Sequence, residues 1–160
     1  MIINTILKHG QCISPSVLSC VARSENHLAI YTSPTNKKFS RENVYDNWSQ
    51  AYSYSHRGRD PFIAMDSNVF FLSDTIKVMI NELDSYGKDV VISKVIEHNS
   101  DTQHGFYIAK SGIMPEIFNE YKQDGNCFFC RWLRKNPEKW IYSKMTVTKT
   151  SRLELSKRSV

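Results

Sequence analysis

The sequence predicts a single α+β domain: a five-stranded antiparallel sheet with a helical crossover on one face and a basic C-terminal tail. Three observations predict it. A chain of 160 residues makes one domain, and 8 Phe, 8 Tyr and 3 Trp against 6 Gly and 5 Pro bury enough apolar surface to offset the entropy of ordering. Runs rich in β-formers stand towards both ends of a middle with helical spacing. The charge is segregated. Of a formal +5, residues 126–160 carry Arg131, Arg134, Lys135, Lys139, Lys144, Lys149, Arg152, Lys157 and Arg158 against Glu138 and Glu154, a net +7, which leaves residues 1–125 at −2.

The elements follow in order. Ile2, Ile3, Ile6 and Leu7 have helical spacing in a short first segment (residues 1–13) and offer a dimerisation face. Val17 to Ala22 and Leu28 to Thr32, joined by the polar turn Arg23 to His27, read as a hairpin. Ser33 to Thr35 opens a helical stretch through Phe39, Val44, Trp48 and Tyr52, and Gly58 and Pro61 break the chain after it. Ile76, Met79, Ile80 and Leu83 fall at i, i+3, i+4 and i+7 behind Ser73 or Asp74 as N-cap, with Gly87 just past the end, so a one-faced helix is expected there. Three strands close the domain: Lys88 to Glu97, Gln103 to Met114, and Cys127 to Leu133. Residues 136–160 form the basic tail.

Two strands, a helical crossover and three antiparallel strands resemble a PAS domain. The run Pro15 to Phe39 looks like the opening of one, with a proline before strand one and a second strand leading into the first helix. The likeness is nearest to the N-terminal PAS-like domains of plasmid conjugal-transfer activators of the TraJ type and related LuxR-class regulators, over residues 14–135. It implies a sensory or dimerisation module of a transcription regulator involved in conjugation. It also implies a homodimer that meets DNA indirectly, through a helix-turn-helix domain or partner whose opening residues Arg152 to Val160 resemble. A small-molecule ligand would lie between sheet and crossover, lined by Tyr31, Phe39, Trp48, Tyr52, Asp60, Phe70, Ile92, Phe106 and Phe128. Trp48-x-x-x-Tyr52 with Asp60-Pro61 also resembles the lactone-contacting pattern of acyl-homoserine-lactone receptors, an alternative function in which indole, phenol and carboxylate satisfy the ligand's polar groups. From another class comes a small nucleic-acid binder using Arg131, Arg134, Lys135 and Lys139 on phosphates, with Trp132, Trp140 and Tyr142 stacking on bases.

Other chemistry is weighed and set aside. His9-x-x-Cys12 and Cys127-x-x-Cys130 have zinc-ligand spacing, but a strand at Cys127 to Leu133 would point residues i and i+3 to opposite faces. No metal is expected. Gly125 to Phe129 echoes a flavin-adduct motif without the residues that should follow the cysteine, and the crossover offers haem only His56, so no cofactor is expected. His98 and His104 flank a turn containing Ser100 and Asp101 that reads as solvated, and no phosphate loop, dinucleotide fingerprint or nucleophile elbow occurs. The expectation is a non-enzyme. Four cysteines are too few for a disulfide scaffold, no apolar run approaches a membrane span and Met1 to Gly10 is no signal peptide, so a cytoplasmic protein is expected.

Overall fold

The structure is a computed structural model, which describes residues 1–7, 10–32, 41–55, 59–96 and 105–149. Among these residues the chain forms strand β1 (Ile2–Leu7), helix α1 (Pro15–Arg23), β2 (His27–Thr32), α2 (Arg41–Ser55), β3 (Phe62–Asp66), β4 (Val69–Phe70) and α3 (Thr75–Ser85). It continues with β5 (Val90–Ile96), β6 (Phe106–Ala109), α4 (Met114–Phe118), α5 (Phe128–Lys135), a 3₁₀ turn at Pro137–Lys139 and β7 (Trp140–Lys149). The strands make one mixed sheet in the order β2-β1-β3-β6-β5-β7-β4. The expected five-stranded antiparallel, PAS-like sheet is therefore incorrect, although helices and strands do mix in one α+β domain.

Three local misreadings account for the difference. Ile2–Leu7 is a strand, not a helix, because three Ile and a Thr in six residues favour a pleated, doubly buried surface, and six residues are too few to nucleate a helix alone. It runs parallel between β2 and β3, with Ile3 opposite both Leu28 and Ile63. Pro15–Arg23 is a helix, not the first strand of a hairpin. The Ser14 hydroxyl accepts the Val17 N–H at 3.3 Å, Pro15 occupies the first turn where its missing N–H costs nothing, and Val17, Cys20 and Val21 are buried at i, i+3 and i+4. Phe128–Lys135 is a helix as well, burying Phe128, Phe129, Trp132 and Leu133 along one stripe. The expected tail also changes character, since Trp140–Lys149 pairs with both β5 and β4 inside the sheet.

The remaining expectations hold more closely. Thr75–Ser85 is the one-faced helix behind Asp74, and Gly87 follows it at φ 62°, a left-handed conformation suited to glycine. Strands β5 and β6 pair antiparallel.

Helices cover both faces of the sheet, where a crossover on one face was expected. Alternation along the strands sends Ile63 and Met65, Phe106 and Ile108, and Val91 to one face, beneath α1 and α3. The intervening Phe62 and Ala64, Tyr107 and Ala109, and Val90 and Ile92 face the other way, beneath α2, α4 and α5. Strand directions then follow from the pairings. β1, β2 and β3 are mutually parallel, β6 is antiparallel to β3 and β5, and β7 is parallel to β5, so five strands share one direction.

The sheet must also curl. Three strands lie between β3 and β4 in the order, so a flat sheet would separate them by about 19 Å at the usual strand spacing of about 4.8 Å. Only Ser67 and Asn68 join them, and three Cα steps reach about 11 Å. The far edge therefore bends back towards the end of β3. A register shift lies on the way, between Ile92 and Lys94, where β5 meets β7. There the buried Glu82 carboxylate accepts from the Ser143 hydroxyl and, at 3.0 Å, from the Lys144 N–H, while the Ser93 hydroxyl donates to the Met145 carbonyl at 2.9 Å.

Candidate functional site

In open sheets of this kind, ligands bind in the crevice outside the carboxyl ends of the parallel strands. Here those ends are Leu7, Thr32 and Asp66, side by side on β1, β2 and β3. Asp66 is the carboxylate among them, and Ser67 and Asn68 extend it into the turn that leads to the curled edge. All three are half-buried, between core and solvent.

The position of Asp66 is enforced from two sides. On β1 the buried Thr5 hydroxyl donates to the Met65 carbonyl at 2.7 Å, and the buried Asn4 amide donates to the Ile63 carbonyl at 3.0 Å, tying the two strands by side chains as well as backbone. On the other side the Asp66 N–H donates to the Gly105 carbonyl at 2.8 Å, just before β6. The Asp66 carboxylate also contributes to holding the phenol of Tyr107 well above its usual range. Burial is the larger cause of that shift, and the nearby Cys127 sulfur adds to it. Tyr107 thus stays a neutral, buried group stacked on Phe129 at 4.2 Å.

The residues expected to line a ligand space divide between two faces. Trp48 and Tyr52 project from α2 and meet Phe62 edge-on at 6.3 and 5.7 Å, Tyr31 stacks on Tyr54 at 6.5 Å, and Ile92 and Phe128 are buried in the same layer. Phe70 and Phe106 belong to the opposite layer, beneath α1 and α3. Asp60 is exposed ahead of β3, at the end of that strand opposite Asp66, and Phe39 lies outside the described residues. Of the expected dimerisation residues, Ile3 and Leu7 are buried in the chain's own core, with Ile2 and Ile6 half-buried.

The basic residues proposed for phosphates mostly face acidic partners. Arg131 pairs with Asp124, Lys135 with Glu120 at 2.8 Å and Lys139 with Glu116 at 3.5 Å, while Arg134 is exposed and the Trp140 indole donates to the Leu133 carbonyl at 2.9 Å. Of the zinc-spaced residues Cys12 is exposed, Cys127 caps α5, and His9 lies outside the described residues, as do His98, Ser100, Asp101 and His104. No described helix is long and apolar enough to cross a membrane.

Asp66 is the residue sequence reasoning missed. Its signal was an apolar run, Phe62 to Met65, ending in Asp-Ser-Asn, but Gly58 and Pro61 read as a break in the chain and no strand was expected directly after it.

No protein-family model matches this chain, and no curated protein does. Solved structures do. A glycosyltransferase involved in the glycosylation of the major capsid of PBCV-1 matches with a TM-score of 0.65 at 9% identity, over 98% of this chain and 99% of that one. The two chains share a fold along nearly their whole lengths. A197 from STIV matches with a TM-score of 0.61 at 9% identity, over 94% of this chain and 86% of that one. A putative glucose-1-phosphate thymidylyltransferase from Bacillus anthracis matches with a TM-score of 0.52 at 12% identity, over 90% and 68%. This transferase-like fold overturns the expected transcription regulator, lactone receptor and nucleic-acid binder, and with them the expectation of a non-enzyme.

Proposed function

We propose that this chain transfers a glycosyl group from a nucleotide-linked sugar to an acceptor hydroxyl. The observation that carries this reading is the placement of Asp66 at the carboxyl end of β3, in a fold shared along nearly its whole length with a glycosyltransferase. In such a transfer the anomeric carbon exchanges its bond to the diphosphate oxygen for one to the acceptor oxygen. The nucleoside diphosphate leaves with the electron pair, and the acceptor's proton is lost.

A leaving diphosphate calls for positive charge beside it. Among the described residues no three His, Cys, Asp or Glu side chains gather into a metal cage. A magnesium-like cation needs no such cage, because it takes one or two carboxylates and fills its shell with substrate phosphates and water. The Asp66 carboxylate, with the Asn68 amide oxygen two residues on, fits that smaller requirement, and the cation's contribution would be to neutralise the departing diphosphate. The chain's own part is positional: Thr5 and Gly105 hold the strand end that presents Asp66.

The test is calorimetric titration of the full chain with uridine, guanosine, cytidine and thymidine diphosphates, with and without magnesium or manganese. At least one nucleotide should bind in a metal-dependent way, and Asp66→Ala should weaken it more than about tenfold, roughly 1.4 kcal/mol, while leaving the melting temperature near that of the parent. Absence of metal-dependent binding by any of the four, or full binding by Asp66→Ala, overturns the reading.

A further inference from the structure

The sequence Cys127-Phe-Phe-Cys130 lies where α5 begins, with Cys127 as the cap and Cys130 in the first turn. The Cys130 N–H donates to the Cys127 sulfur at 3.4 Å, so the cap sulfur sits over the unsatisfied N–H groups of the helix start. A cap and the residue one turn on also approach the Cα separation of about 5–6 Å that disulfides span. Both cysteines are half-buried, within reach of a small reagent.

The surroundings hold the pair in place. Asp124 accepts the Asn126 N–H at 3.1 Å and pairs with Arg131, fastening the loop before Cys127 to the helix after it. Phe129 stacks on Tyr107, and Phe128 packs on Phe118 at 5.5 Å. Tyr107 lies within electrostatic reach of both Cys127 and Asp66, so the Cys127 sulfur is one buried side chain away from the candidate site. The helix start is not the only feature here, because the second thiol supplies the group with which the first can react.

The geometry points to Cys127 and Cys130 as a redox-active dithiol that a low-molecular-weight disulfide converts to an intramolecular disulfide. The Cys127 thiolate attacks one sulfur of the reagent, forming a mixed disulfide and releasing one thiolate. The Cys130 thiolate then attacks the Cys127 sulfur and releases the second. The protein loses two electrons and two protons, and the reagent gains them as two thiols. The dithiol would operate whatever the chain transfers.

Oxidised glutathione serves as the probe. The full chain is incubated with it, alkylated under denaturing conditions and cleaved with trypsin, which releases both cysteines in the single peptide Gln123 to Arg131. That peptide should escape alkylation and weigh two hydrogen atoms less than its dithiol form. Cys130→Ser should accumulate a mixed disulfide carrying one glutathione, and Cys127→Ser should react more than about tenfold more slowly than Cys130→Ser. A doubly alkylated Gln123 to Arg131 peptide at every glutathione concentration overturns the proposal. So does oxidation confined to Cys12 or Cys20, or equal reaction rates for the two variants.

Discussion

Beneath α1 and α3 the sheet is covered by Val17, Val21, Ile76, Met79 and Leu83, whereas beneath α2, α4 and α5 it is covered by Trp48, Tyr52, Phe118, Phe128, Phe129 and Trp132. The aliphatic layer is periodic along α1 and α3, with the Cys20 thiol buried among its methyl groups. The aromatic layer carries polar handles: the Trp132 indole donates to Glu116 at 2.8 Å, the Trp140 indole to Leu133, and the Cys127 sulfur caps α5. Aromatic rings can be buried while keeping one polar atom engaged, so this face holds indole N–H groups against polar partners within the layer. Aliphatic packing serves cohesion here, and aromatic packing serves both cohesion and the placement of chemical groups.

The sharpest way to break that comparison is to remove a large, fully buried helix residue from each layer. Trp132→Ala should cost about 3–5 kcal/mol in urea unfolding, since the ring is fully buried, and Met79→Ala about 2–5 kcal/mol. Trp132→Phe should recover most of the packing without the indole hydrogen bond, and a Phe variant no better than Ala would show that the polar handle, not the ring, matters. Next in size is Glu82, whose carboxylate reaches from the aliphatic side to the bend in β7. Glu82→Ala strands the Ser143 hydroxyl and the Lys144 N–H, and a loss of about 1–3 kcal/mol is expected, with faster hydrogen exchange at Lys144 and Met145. Ser14→Ala, which removes the cap of α1, should cost about 1 kcal/mol.

The smallest effect belongs to the acidic loop ahead of α5. The Arg131 guanidinium beside Asp124 pulls its carboxyl down from the ordinary 3.8 to about 2, with the Asn126 N–H assisting. A lowered folded-state value stabilises the protein above the unfolded value, and that stabilisation is lost as pH falls from 3.8 through about 2. Asp124→Asn should flatten the unfolding midpoint across that window and lower it slightly near neutrality, where the wild-type carboxylate contributes in full. An identical slope in both proteins would show that the pair contributes nothing.

How much of this was legible in the sequence depends on how local each signal was. Thr75–Ser85 carries its periodicity and terminal glycine within about fourteen residues, and the structure keeps the helix, although the Asp74 side chain makes no capping hydrogen bond. Leu28 to Thr32, and the cores of β5 and β6, also read correctly as strands. Short apolar runs did not. Ile2–Leu7 and Phe128–Lys135 each fit both periods, because six to eight residues sample too little of either. Pro15–Arg23 was misread by weighing its valines above the Ser14-Pro15 start signal. The candidate site suffered most, since Asp66 acquires meaning only from what lies beside it.

By itself, then, the sequence determined a mixture of helices and strands with enough apolar surface for a core, a secure α3 and several of its strands. The tertiary structure decided the rest. Parallel pairing of β1 with β2 and β3 joins residues some 25 to 60 positions apart, and no local pattern encodes such a partner. The curl that returns β4 towards β3 is a property of strand order, and the register shift between β5 and β7 and the buried carboxylate from α3 beside it likewise join distant segments. Asp66 stands at a crevice because three distant strands end together there. That is a property of the assembled sheet, not of any window along the chain.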